Sequence, residues 1–167
     1  IEDVAIEQAL IQQRGIEANN AHYIARIANG SWLRALQTLS ADNENKQFLD
    51  TFKLLMRLAY MRNIRSLKKW TDSVTGFGRE KQRRMLTYFS RMIRESFMYN
   101  FQQPELVYMT QEEEDFTKNF ARFVNEANVI EIEELLATAR RDIGQNANAK
   151  IVFFDLALHL IVLLMRK

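Results

Sequence analysis

The chain has 167 residues, enough for one large or two small domains and for a core hiding roughly two-thirds of the unfolded surface. Hydrophobic residues make up 47%, charged residues 26%, and a single Pro with five Gly excludes collagen-like, linker-dominated and disordered chains. No cysteine is present, which excludes a disulfide framework, a thiolate zinc site and thiol catalysis, and 23 basic against 21 acidic residues leave a net charge of only +2. Any attraction to nucleic acid must therefore come from local clustering, and the cysteine-free composition fits a cytoplasmic location.

Helical spacing runs through the chain and strand-period alternation is scarce, so the expected fold is all-α. The chain opens on Ile1, Glu2 and Asp3 without a cationic start or an apolar stretch, and reads as a piece of something longer. The first forty residues predict three short helices. One covers about 2 to 13 and is closed by Gly15; one covers about 20 to 29, capped by Asn20 and closed by Gly30; one covers about 32 to 40, capped by Ser31. Asn29-Gly30-Ser31 makes the corner between the last two. The polar stretch from Ser40 to Asn45 has linker composition and predicts a boundary, with a small helical domain over 1–42 and a helical bundle over 45–167.

Beyond it, Phe48, Phe52, Leu55 and Ala59 share a face of a helix near 45 to 62, and Ile64, Leu67, Trp70 and Val74 share a face of the next, which Gly76 and Gly78 end. The longest amphipathic segment is expected over 79 to 102, with Leu86, Phe89, Ile93 and Phe97 inward. Pro104 breaks the pattern. Thr110 is an N-cap candidate, followed by Glu112 to Asp115 as a solvated first turn and by Phe116, Phe120, Phe123 and Ala127 as a buried stripe. Ile132, Leu135, Leu136, Ala139 and Ile143 predict a helix ending at Gly144. The last helix, about 147 to 166, is apolar nearly all round, suited to the centre of a bundle or an oligomer, but too short for a membrane span.

Residues 53 to 94 carry twelve basic groups against two acidic, whereas residues 95 to 142 carry four basic against eleven acidic. Such segregation suits either phosphate contact, with Arg79, Arg83, Arg84 and Arg91 as the basic surface, or the docking of complementary subunits. Catalytic patterns are lacking. Gly76-Phe77-Gly78 followed by Lys81 falls short of a phosphate loop, and His22 and His159 belong to no nucleophile triad or metal motif. Asp155 and His159, four apart, share a helix face and read as a buried, mutually satisfied pair, with a metal or proton relay as the sharper alternative. Glu131, Glu133 and Glu134 do not converge and are expected to face water. Seven Met with Trp32 and Trp70 fall on helical stripes and read as core packing rather than an adaptable groove.

Several segments together carry a family likeness. Tyr23 to Leu36, with Asn29, Gly30, Ser31 and Arg34, resembles the lid subdomain of AAA+ clamp-loader subunits. Gly78, Arg79 and Glu80, then Arg94 and Glu95, then Asn146, Asn148 and Lys150 leading into the last helix, resemble the collar domain of the delta-prime-type subunits of bacterial DNA polymerase III. The resemblance covers nearly the whole chain. It implies a non-hydrolysing subunit without cofactor or metal, whose collar joins the gamma/tau and delta subunits into a ring that loads the sliding clamp on primed DNA, touching DNA indirectly or weakly and no membrane. Leu33 stands where ATP-hydrolysing relatives place a sensor arginine, and Arg34 follows one residue, or about 100° of helix, later. The alternative is a stand-alone nucleic-acid-binding domain that uses the basic stretch 79–94.

Overall fold

A computed structural model describes residues 32–101 and 109–167. The helices expected over 2–13 and 20–29, the Asn29-Gly30-Ser31 corner, His22 and the Pro104 connection lie outside the described residues, as do the side chains of Trp32 and Arg34. The described residues are helical, without strands: α1 Trp32–Tyr60, α2 Ile64–Thr75, α3 Arg79–Tyr99, α4 Gln111–Phe120 with a 3₁₀ turn at Ala121–Phe123, α5 Val129–Gly144 and α6 Ala149–Leu163. The chain divides into two compact units, residues 1–47 with 109–114, and residues 48–108 with 115–167.

The polar stretch from Ser40 to Asn45 is helical rather than a linker. It lies within α1, where one helix of 29 residues replaces the two expected over 32–40 and 45–62. The stretch contains neither Gly nor Pro, and each Ser, Asn or Asp costs only a few tenths of a kcal/mol in a helix, so the flanking apolar stripes carry it through. Residues Ala35, Leu39, Asp42 and Leu49 fall at turn spacing and are buried, which puts Asp42 in a position an apolar residue would ordinarily hold. At 29 residues α1 is also longer than α3, with 21, the segment expected to be longest.

In the smaller unit, Thr110 caps α4 as expected. Its hydroxyl accepts from the Glu113 backbone N–H at 3.2 Å, and the Glu113 carboxylate accepts from the Thr110 N–H at 2.9 Å. This reciprocal box buries Glu113, so the acidic first turn is only partly the solvated run its composition suggests. In the larger unit Phe116 to Phe123 supply inward rings as expected, whereas Ala127 lies past the end of α4 and is exposed.

In the larger unit α3 packs on α5, α5 on α6, and α6 on α2. Rings tie the layers: Phe52 of α1 sits 5.1 Å from Phe89 of α3 and 5.5 Å from Phe120, and Trp70 of α2 sits 6.1 Å from Phe153 of α6. Leu67, Trp70 and Val74 are buried on α2, but Ile64, the first residue of that stripe, is exposed at the helix start. Met56, Met85 and Met92 are core residues, as their stripes predict, while Met61 and Met165 are exposed.

Candidate interaction surfaces

Among the described residues that carry the family likeness, Gly78, Arg79, Asn146, Asn148 and Lys150 make turns and ties between helices, whereas Glu80, Arg94 and Glu95 do not. Gly78 adopts φ +85° at the start of α3, a backbone state that a β-carbon would strain. The next residue, Arg79, reaches 64 positions along the chain: its guanidinium donates to the Ile143 carbonyl at 3.2 Å and to the Ala147 carbonyl at 2.9 Å. It therefore caps the C-terminal end of α5, where carbonyls lack helical partners and positive charge is favoured. Asn146 takes φ +63° in that turn, and Asn148 caps α6, its side-chain oxygen accepting from the Ile151 N–H. Lys150 lies 3.7 Å from Asp72 of α2. Segments 78–80 and 146–150, distant in sequence, are thus parts of one joint. Gln82, buried beside it, donates from Nε2 to the Val74 and Thr75 carbonyls and closes the end of α2.

The basic stretch of α3 is divided among several jobs. Arg79 is engaged as above and is not a free contact residue. Arg91 is half-buried, paired with Glu95 at 3.2 Å and placed over the Tyr88 ring at 5.0 Å. Arg83 and Arg84 are exposed; with Glu80, Thr87 and Arg140 of α5 they line an open depression of about 550 Å³. Arg83 lies along Gly144, and Arg140 donates to the Thr87 hydroxyl at 3.1 Å. Arg94, also exposed, lines a smaller hollow beside it with Ser90 and Glu133. Contrary to expectation Glu133 does not simply face water: one of its oxygens accepts from Ser90 at 2.6 Å and the other is buried without a partner among the described residues. Glu131 pairs with Arg166.

On α6 one side is core, with Phe153, Leu156, Ala157, Leu160 and Leu163 buried, and the other presents Ile151 and Val162 at 69% and 57% exposure, with Met165, just past the helix, at 54%. The uniform apolarity of the sequence therefore does not place this helix in the middle of the bundle. Asp155 and His159 lie on the outward side, 3.4 Å apart and both more than half exposed. They are a surface pair, not the buried pair expected, because the phase of the buried stripe turns positions 155 and 159 outward. No group of three or more metal-ligating side chains occurs among the described residues, and no helix there is long and apolar enough to cross a membrane.

A further surface was not evident in the sequence. Between α1, the 3₁₀ turn and the end of α6, two adjoining depressions of about 870 and 300 Å³ share Tyr60, Arg122, Phe123 and Leu164. Its shape depends on Asn128, which is almost fully buried. The Asn128 amide donates to the Phe123 carbonyl at 2.8 Å and to the Leu163 carbonyl at 2.9 Å, and its oxygen accepts from the Asn125 N–H. In the smaller unit burial pushes the Asp42 carboxyl above the usual range, Lys46 opposes this, and Glu113 and Glu112 add to it.

Comparison of the chain with protein-family models, with curated proteins and with solved structures finds no match. Function must therefore be argued from these residues and surfaces.

Proposed function

We propose that this chain is a non-catalytic assembly module of a clamp loader of the bacterial DNA polymerase III type, corresponding to the lid and collar of a delta-prime-like subunit. It works in the cytoplasm, joining neighbouring gamma/tau and delta subunits so that the assembled loader can place the sliding clamp on primed DNA. The observation that carries the reading is the outward face of α6. Ile151 and Val162 remain exposed on a helix whose other side completes the core, and Met165 just past its end is exposed too, with the Asp155–His159 pair lying among them. Large apolar side chains aligned on one exposed face mark surfaces that another chain covers. At roughly 25 cal/mol per Å² of apolar surface removed from water, such a face drives association, while charge segregation sets orientation. The joint between segments 78–80 and 146–150 supports the reading a second way. It gives Gly78, Arg79, Asn146, Asn148 and Lys150 a common role in holding α3, α5 and α6 in register.

Size-exclusion chromatography with light scattering tests this directly. The chain mixed with gamma and delta collar domains should form a heteromeric complex at micromolar concentration. Ile151→Glu with Val162→Glu should dissolve it while leaving the helical signal intact. A second reading, nucleic-acid binding, is favoured by the arginine-lined depression at Arg83, Arg84 and Arg140. It predicts DNA binding without any protein partner, falling steeply with added salt. Such binding, together with failure to form the complex, would replace the assembly reading.

A further inference from the structure

We propose that the groove between α1, the 3₁₀ turn and the end of α6 is a docking site for an acidic, amphipathic peptide segment of a protein partner. The proposal stands on the groove itself and does not depend on the clamp-loader reading. Its floor and walls are apolar: Met56, Tyr60, Phe116, Phe120, Phe123 and Leu164. Tyr60 is 63% exposed, and the neighbouring Met165 at the open end is 54% exposed. Large rings beside an open groove are what a partner's apolar side chains cover, and Tyr and Arg are the residue types that most often anchor such contacts.

The rim decides the chemistry of the occupant. Lys53, Arg57, Arg62, Arg122 and Lys167 surround the floor, and among the described residues no Asp or Glu lines either depression. Arg166 also lines it but is paired with Glu131. Uncompensated positive charge around an apolar trough is complementary to carboxylates flanking apolar side chains. The trough follows α1 from Lys53 to Tyr60, about 10 Å at 1.5 Å per residue, which suits two turns of a partner helix laid in the groove.

Aromatic rings with cations also suit single-stranded nucleic acid, but bases stack on open ring faces. Here the phenylalanine rings already meet neighbours. Phe116 stacks on Phe120 with centroids 5.0 Å apart, Lys53 lies over Phe116 at 5.8 Å, and the Arg122 guanidinium lies over Phe123 at 4.8 Å. Tyr60 meets Phe123 edge-on at 5.3 Å. The groove offers ring edges and a hydrophobic floor, which accept Leu or Phe side chains rather than bases.

The test is a phage-displayed random library of peptides of about 16 residues, a length that forms a docking helix, panned on the purified chain. Counter-selection uses the double variant Arg57→Glu, Arg122→Glu. The selected peptides should be rich in Asp and Glu, with Leu, Phe or Trp at helical spacing. By fluorescence polarisation they should bind at least about tenfold more weakly to the double variant and lose affinity as salt rises. Tyr60→Ala should weaken the same peptides without lowering the melting temperature. Because charge reversal could itself disturb folding, Arg57→Gln with Arg122→Gln, checked by circular dichroism, should give an intermediate loss. No enrichment, enrichment of neutral or basic peptides, or equal binding to the variants overturns the proposal. So does displacement of the peptide by an equimolar DNA strand of about 20 nucleotides, which would assign the groove to nucleic acid.

Discussion

The arginines of α3 and the cations around the α1 groove make an instructive pair. On α3 the basic residues crowd into one stretch of sequence, yet folding distributes them: Arg79 closes the end of α5, Arg91 is held by Glu95 and Tyr88, and Arg83 and Arg84 share their depression with Glu80. Around the groove the cations come from α1, the turn after it, the 3₁₀ turn and the chain end, and they converge on an apolar floor with no acidic lining among the described residues. Density of charge along the chain is thus a poor guide to a site. Convergence in space, with no acid in the lining, is the better one.

Substitutions can break or sharpen that contrast. The largest effect is expected where the groove and the core share a residue. Phe120→Ala should destabilise the chain by about 3–5 kcal/mol in urea titration, since it empties a site ringed by Phe52, Phe116 and Phe123. Asn128→Ala should come next, at about 3 kcal/mol, because it strands two carbonyls and an N–H that its side chain satisfies. It should also abolish groove binding by releasing the 3₁₀ turn from α6.

On α3, Arg79→Ala should cost about 1.5 kcal/mol in thermal unfolding, whereas Arg57→Ala on the groove rim should stay within about 0.5 kcal/mol. Equal costs for the two would erase the distinction between a structural arginine and an available one. Asp42 extends the contrast to a buried acid in the smaller unit. Its folded pKa lies above the unfolded one, so its contribution to stability is fully present below the unfolded pKa and is lost as pH rises through the folded pKa. Asp42→Asn should therefore raise the melting temperature at pH 7 and flatten its dependence above about pH 4, where an unperturbed Asp titrates. A melting temperature that falls at neutral pH would show that the ionised carboxylate has a favourable partner. The smallest effect is expected at the exposed pair on α6, where Asp155→Asn should change stability by less than about 0.5 kcal/mol.

Helix existence was largely legible, since a stripe at 3.6-residue spacing must be buried somewhere and Gly76, Gly78 and Gly144 mark where helices stop or start. The Thr110 cap, the α3 stripe of Leu86, Phe89 and Ile93, and the α5 stripe ending at Ile143 all follow from local rules. Ser40 to Asn45 misled about where helices stop because linker composition and a polar helix surface look alike until the flanking stripes are seen to share one phase. The Asp155–His159 pair misled because an almost uniformly apolar helix hides which side is buried. A weak signal for the groove did exist: Phe116, Phe120 and Phe123 supply more rings than one short helix can bury, with Tyr60 and Arg122 beside polar turns.

By itself the sequence determined that the chain is helical, where most of its helices lie, and that positive and negative charge are segregated along it, because these depend on spacing and composition within a few turns. Only the tertiary structure decided that Arg79 belongs to the end of α5, that α6 turns Ile151 and Val162 outward beside Asp155 and His159, and that cations from four separate segments surround one trough. Those outcomes depend on which stripes pack together, and packing pairs residues sixty or more positions apart that no local pattern connects.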